Sequence, residues 1–333
     1  MQKKLLFNCV LAVLAAAATA QGEDRWLVFE GKEGPGKGKH VVLIAGDHEY
    51  RSEEAMPQLA KILANQHGFK CTVLFSQDAD GTINPDNIAN TPGLENLKTA
   101  DLMVIGWRFR DLVEDQMQHV VDYVAAGKPI VALRTSTHSF NIEGKKKYAD
   151  WSWTNKGGFG KKYLGETWIA HHGAHGSQST RGIIAPGAKE HPIARGLKDG
   201  DVWGPTDVYT VNLPLADDCK PIFLGQVLQG MKFDDQPLAG EKNDPMMPLV
   251  WTKSYKGENG KQARVVTSTL GAATDFTAPG SRRMFVNAVY WALGLEDKIP
   301  QDGARADLEG EYNPTPFGFG KFVKGKKPAD YMK

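Results

Sequence analysis

The chain has 333 residues, with 40 Lys plus Arg against 39 Asp plus Glu, 41% hydrophobic residues and 3 Cys. Its near-zero net charge lacks the basic footprint that nucleic-acid binding needs, and so few cysteines exclude a miniature disulfide-built scaffold. The length allows one large domain or two.

Residues 1–20 read as a secretory signal peptide. Lys3 and Lys4 precede an apolar run from Leu5 to Ala17, and Ala18-Thr19-Ala20 fits a small-x-small cleavage site. The run is shorter than the roughly 20 residues of a membrane span, so a cleaved leader is expected rather than an anchor. This predicts a periplasmic or secreted protein. Loss of Lys3 and Lys4 leaves 38 basic against 39 acidic residues. Export would leave Cys71 and Cys219 able to pair or to stay as two buried thiols, and the sequence does not choose.

Residues 21–39 form a leader ending in GKEGPGKGK, which reads as an exposed connector. His40 to Ala45 (HVVLIA) is then a strand buried on both faces. A helix follows, with Ser52 as cap, Glu53 and Glu54 at its positive end, and Met56, Leu59, Ala60 and Leu63 at helical spacing. Cys71–Phe75 and Asp101–Trp107 read as further strands, Val113–Ala126 as a helix stopped by Gly127, and Pro129–Thr135 as a fourth buried strand. Such alternation predicts an α/β sandwich, with helices on both faces of a mostly parallel sheet.

Residues 139–180 lose this periodicity and read as an insertion or lid. Strand-like runs resume at Gly182–Ala185, Asp207–Asn212, Pro221–Leu224, Pro248–Trp251 and Ala263–Thr269, and a last helix spans Ser281–Leu293. One domain over 40–297 is the simplest division. Residues 298–333 are a polar tail rich in Pro and Gly, to which no core of its own is assigned.

Ligands of open parallel sheets bind outside the carboxyl ends of the strands, and polar residues collect there. After the first strand comes GDHEYRSEE (46–54), after the third WRFRD (107–111), and after the fourth RTSTH (134–138). Here His48, Glu49 and His138 are the candidate acids and bases. Gly46 and Asp47 lie at the first strand end. Arg51, Arg134, Ser136 and Thr137 are candidate donors to a ligand, and Trp107 and Asp207 candidate contacts. The competing reading of Glu49, Glu53, Glu54 and Arg51 is a helix start with local ion pairs. A nucleophile elbow at Ser136 lacks the flanking Gly that such a turn needs.

HHGAHG (171–176) offers one or two of His171, His172 and His175, together with His48 or His138, as ligands for a divalent transition metal; otherwise one of them, His172 the candidate, reaches substrate while the rest are loop surface. The glycines argue against a helix, and there is no HExxH pattern. The aromatics Tyr148, Trp151, Trp153, Phe159, Tyr163 and Trp168 suit either a sugar platform or a small core within the insertion.

Taken together, GDHEYRSEE, LRTSTHSF, the HHG at 171–173, GPTDVYTV and TSTLGAATDF followed by NAVYWALGLEDKIP resemble the trehalose-utilisation (ThuA-like) family. The tail NPTPFGFGKFVKGKKPADY resembles that of its exported members. The resemblance implies a flavodoxin-like three-layer sandwich of the class I glutamine amidotransferase-like kind, and a role in sugar metabolism, with 3-keto-sugars as the expected substrates. Two departures matter: no Cys stands at the elbow, so glutaminase chemistry is not expected, and Gly271-Ala272 stands where many such proteins have Gly-His.

The leading expectation is an exported lyase, isomerase or hydrolase acting on a small-molecule carbohydrate by acid/base chemistry. The alternative is a non-catalytic carbohydrate-binding or accessory protein on the same scaffold. Neither a nucleic acid nor a membrane anchor is expected, no cofactor is certain, and homo-oligomerisation stays open.

Overall fold

The computed structural model describes residues 25–144, 146–216 and 218–332, so the signal-peptide pattern of 1–20 lies outside the described residues. In chain order the strands are β1 (Leu27–Phe29), β2 (His40–Gly46), β3 (Lys70–Phe75), β4 (Leu102–Trp107), β5 (Ile130–Ala132), β6 (Ala170–His171), β7 (Thr180–Ile184), β8 (Trp203–Gly204), β9 (Tyr209–Thr210), β10 (Lys220–Val227), β11 (Met247–Lys256) and β12 (Gln262–Ser268). The α-helices are α1 (Ser52–His67), α2 (Glu114–Ala125) and α3 (Pro279–Ala292).

Ten strands form one sheet in the order β1-β3-β2-β4-β5-β12-β11-β10-β7-β8. The five from β3 to β12 are parallel. Numbered along the chain, those five run 2-1-3-4-5, the flavodoxin-like order. β11, β10, β7 and β8 then add antiparallel, and β1 caps the other edge antiparallel to β3. The sheet is therefore mixed, parallel at its centre. Apolar runs alone do not encode the direction of β10 and β11.

Period-two alternation in the central strands builds three layers. Val41, Leu43 and Ala45 of β2 join Leu102 and Val104 of β4 in one core, with α1 and α3. Val42 and Ile44 join Met103, Ile105 and Trp107 in the other, under α2. Helix α1 stops at Gly68, whose φ of 78° lets its N–H reach the Ala64 carbonyl. Its cap differs from the expected one. Arg51 takes the N-cap position without a side-chain cap, and the Ser52 hydroxyl accepts from the N–H groups of Gly46 and Asp47.

Three segments without periodicity join this frame. The leader contributes β1, and Gly31, Gly34 and Gly36 pass so close to His67–Phe69 that a Cβ would clash. The insertion completes the second core with Phe140, Phe159 and Leu164, against which Trp151 and Tyr163 pack. The tail lies over α1 and the strand ends: Tyr312 donates to the Ala273 carbonyl, and Thr315 donates twice to Glu54. Cys71 in β3 and Cys219 beside β10 are buried free thiols. Six strand spacings separate those strands, about 29 Å. No helix among the described residues is long and apolar enough to cross a membrane.

Candidate functional site

The strand order reverses at β2, whose neighbours β3 and β4 are reached by crossovers in opposite directions, so a crevice opens at the carboxyl ends of β2 and β4. The backbone is strained there. Among the described residues, three non-glycines have left-handed φ: Arg51 (58°), Phe109 (52°) and Arg134 (34°). They follow β2, β4 and β5. Such conformations cost of order 1–3 kcal/mol each and persist where the surroundings hold them.

Each strand end delivers different groups. After β2, Asp47 Oδ1 accepts from the N–H groups of Glu49 and Tyr50, and Asp47 Oδ2 accepts from the Thr135 hydroxyl. That fixes the loop presenting His48 and Glu49. Arg110 donates to His48 Nδ1 at 3.2 Å. A guanidinium can only donate, so the neutral His48 carries its proton on Nε2. Burial lowers the His48 pKa, which keeps the ring neutral near pH 7.

After β4, Arg108 donates to Glu49 Oε2 at 2.5 Å, and the Phe109 ring lies 5.0 Å from that of His138. After β5, the turn of 134–138 carries Arg134 at its strained first position. This guanidinium sits 3.9 Å from the Tyr50 ring centre and 4.4 Å from that of Tyr209. It donates to the Asp207 and Thr269 carbonyls and to Asp207 Oδ1. His138 is 2% exposed. Burial first, then the charges of Arg108 and Arg134, hold its pKa well below the ordinary value, so the ring is neutral.

The opposite wall comes from the antiparallel ribbon of β6 and β9, in which His171 pairs with Tyr209. This places Asp207 beside the HHGAHG loop. His171 Nδ1 donates to Asp207 Oδ2 at 2.7 Å, and His175 Nδ1 to Oδ1 at 3.1 Å. His175 Nε2 lies 3.3 Å from Glu49 Oε1. These two carboxylates push His175 up to about 9. Burial raises the Asp207 pKa, but His171, His175 and Arg134 outweigh it and hold the carboxyl well below the usual range.

A series of ring contacts runs through these groups. Phe319 stands 5.4 Å from His48, and Phe109 lies between His48 and His138. Trp168 contacts both His138 and His171, whose ring is 4.6 Å from His175. Phe317 ends the series at 5.4 Å from His175. Trp153 backs Phe109 and Trp168.

His48, Glu49, His138 and Asp207 thus gather around one cleft, with Arg134 beneath it. Other candidates lie outside. Ser136 is fully buried and its hydroxyl donates to the Ile105 and Leu133 carbonyls. Thr137 is buried against His138 Nδ1. Trp107 points into the core against Phe140. Gly46 gives room to that indole, since a Cβ would come within 2.6 Å of it. Arg51 is buried and holds the His48 and Gly318 carbonyls. His172 turns away to Thr210 and the Lys242 carbonyl. Asp275, near the missing Gly-His, is buried and accepts from Gly271, Ala272 and Thr206.

Arg108, Phe109, Tyr50 and the tail's Phe317 and Phe319 were not singled out by sequence. Alternation along β4 was the missed signal for the first two: Trp107 shares the parity of Met103 and Ile105, so the residues beyond the strand reach the cleft. Of the insertion aromatics, Trp151, Phe159 and Tyr163 pack with one another in the core, whereas Trp153 and Trp168 line the cleft.

Fold and site together define a flavodoxin-like α/β protein with an imidazole- and carboxylate-lined cleft at its switch point. The family model of ThuA, described as trehalose utilisation, matches residues 40–292, and the chain belongs to that family. Among solved structures, a ThuA-like protein from Parabacteroides merdae ATCC 43184 is 15% identical, with a TM-score of 0.49 over 89% of this chain and 100% of that one. A ThuA-like protein from Bacteroides uniformis ATCC 8492 is 13% identical, with a TM-score of 0.46 over 79% of this chain and 94% of that one. No curated protein matches the sequence.

Proposed function

We propose that this is an exported enzyme acting on a sugar or 3-keto-sugar by acid/base chemistry, through a lyase, isomerase or hydrolase step. The observation that carries the reading is the run of ring contacts through neutral His48 and His138 to His171 and His175, with the carboxylates of Glu49 and Asp207 beside it. Aromatic faces suit the C–H faces of a pyranose, and the imidazoles supply proton carriers. Export rests on the pattern of residues 1–20 alone.

A ketone at C3 acidifies the adjacent C–H, so the reaction needs one base and donors for the enediolate oxygen. Neutral His138 serves as base. The Nε2–H of His48 and the guanidinium of Arg108 serve as donors, Glu49 holds Arg108 in place, and the imidazolium formed on His138 returns the proton. Glu49 and Asp207 are each matched by an arginine, leaving the proton of His175 as excess positive charge. That balance favours an anionic transition state over a charged substrate.

The test is turnover of 3-keto-trehalose or a 3-keto-glucoside by wild type and His138→Ala. The expected outcome is a kcat lower by about 10²–10⁴ in the variant. No turnover of any keto-sugar by wild type, or full activity in the variant, would sink the assignment. Sugar binding without turnover, lost in Trp168→Ala but kept in His138→Ala, would mark a carbohydrate-binding protein instead.

A further inference from the structure

We propose that His171, His175 and Asp207 bind one divalent transition-metal ion whose open positions take the carbonyl and neighbouring hydroxyl of a hydroxy-ketone. The choice of hydroxy-ketone rests on the function proposed above; the metal site does not.

The geometry starts from the ribbon. One ligand atom from each of the three residues falls within 4.8 Å of the others. The two contacts to Asp207, 2.7 and 3.1 Å, resemble the spacing of neighbouring ligands that each stand about 2.0–2.2 Å from a common ion. The two imidazoles bond different oxygens of the one carboxylate, and their ring centres are 4.6 Å apart. A metal can replace the protons now shared between these rings and Asp207.

The surroundings are built for fixed ligands. Asp207 is buried, and Arg134 anchors both its carboxylate and its carbonyl. Such outer partners orient ligands in metal sites. Gly173, between the two histidines, lets the loop close on Asp207, because a Cβ there would come within 2.9 Å of the Asp207 Cβ. The imidazoles are only partly covered, 32% and 35% exposed, so a bound ion would keep positions open to a ligand. Arg134 alone already neutralises Asp207, so two further imidazoles exceed what burial of that carboxylate requires. Two histidines and one carboxylate with an open face form the donor set of iron, manganese, cobalt and zinc sites. A ketone oxygen held there would be polarised beside Glu49.

The experiment uses tag-free protein, stripped with a chelator and titrated with Zn2+ and Co2+ by calorimetry and, for Co2+, visible absorption. About one equivalent is expected. His171→Gln and His175→Gln should each weaken binding more than about tenfold, since loss of even an outer partner commonly costs that much. His172→Gln should leave it unchanged. Melting curves of the metal-free proteins separate loss of ligands from loss of fold. Binding well below one equivalent, or unchanged in both ligand variants, overturns the site. Adding a 3-keto-glucoside should shift the Co2+ bands; stoichiometric metal with no shift overturns the hydroxy-ketone part. Keto-sugar turnover at the full rate without metal would overturn the metal's part while upholding the proposed function. Metal binding without any keto-sugar turnover would leave the metal site standing and remove that function.

Discussion

The two halves of the cleft are held in different ways. One half, with His48, Glu49, Arg108, Arg134 and His138, stands directly on strands whose neighbours pair along their length, and its three left-handed residues are locked by buried partners. The other half rests on a ribbon of two-residue strands and on a tail that returns across 267 positions to bond Arg51. The proton-carrying groups sit on the sheet, whereas the wall of His171 and His175 is tied to it through Asp207 and Arg134, and Phe317 and Phe319 sit on the returning tail. The first half should therefore couple to stability and the second to affinity.

The largest expected effect lies in the first half. Arg134→Met leaves Asp207 buried without its guanidinium and removes the cation between Tyr50 and Tyr209. Urea denaturation should give a loss of about 3–5 kcal/mol. A loss under about 1 kcal/mol would mean that the sheet-borne half is no more tightly coupled than the other.

Next comes the junction of the halves. Glu53 lies under Arg51, with Glu54 and Asp47 nearby, and burial pushes its carboxyl up to about 8 against the opposing pull of Arg51. An acid whose folded pKa is raised keeps its proton in the native state while the unfolded chain loses it. Stability therefore falls as pH rises from about 4.5 to 8. Glu53→Gln should flatten this slope, raising the unfolding free energy at pH 9 by a few kcal/mol at most while matching wild type at pH 4, as read by urea denaturation. Parallel pH profiles would contradict a buried neutral Glu53.

The smallest effect falls on the tail. Phe319 is 58% exposed, with its ring 4.7 Å from the Arg108 guanidinium and 5.4 Å from His48. Phe319→Ala should change stability by less than about 0.5 kcal/mol. Steady-state kinetics on a keto-sugar should show KM rising several-fold, about 1 kcal/mol. A change confined to kcat would place Phe319 with the sheet-borne groups instead.

Legibility followed the same division. The parallel centre announced itself through apolar runs bounded by turn residues, and polar residues beyond those runs marked the cleft before any contact was visible. HHGAHG is legible as a ligand cluster, but its meeting with Asp207 is not, because the pairing of β6 with β9 depends on contacts that two-residue strands do not advertise. The expected role of Ser136 failed to materialise in the cleft because a tight turn after β5 rotates its hydroxyl back onto the sheet. For the leader and tail, Gly- and Pro-rich composition masked docking, since close backbone approach leaves no apolar period to read.

The bond from Gly318 to the Glu49 carbonyl sets the order in which the protein becomes useful. Every strand of the sheet precedes it in the chain, yet the series of rings past His48 and His175 stays incomplete until Phe317 and Phe319 arrive. A chain cut short before them would lose both rings and the Gly318 carbonyl that holds Arg51, presenting an unroofed cleft to water. Completeness of synthesis is thereby written into the binding surface itself.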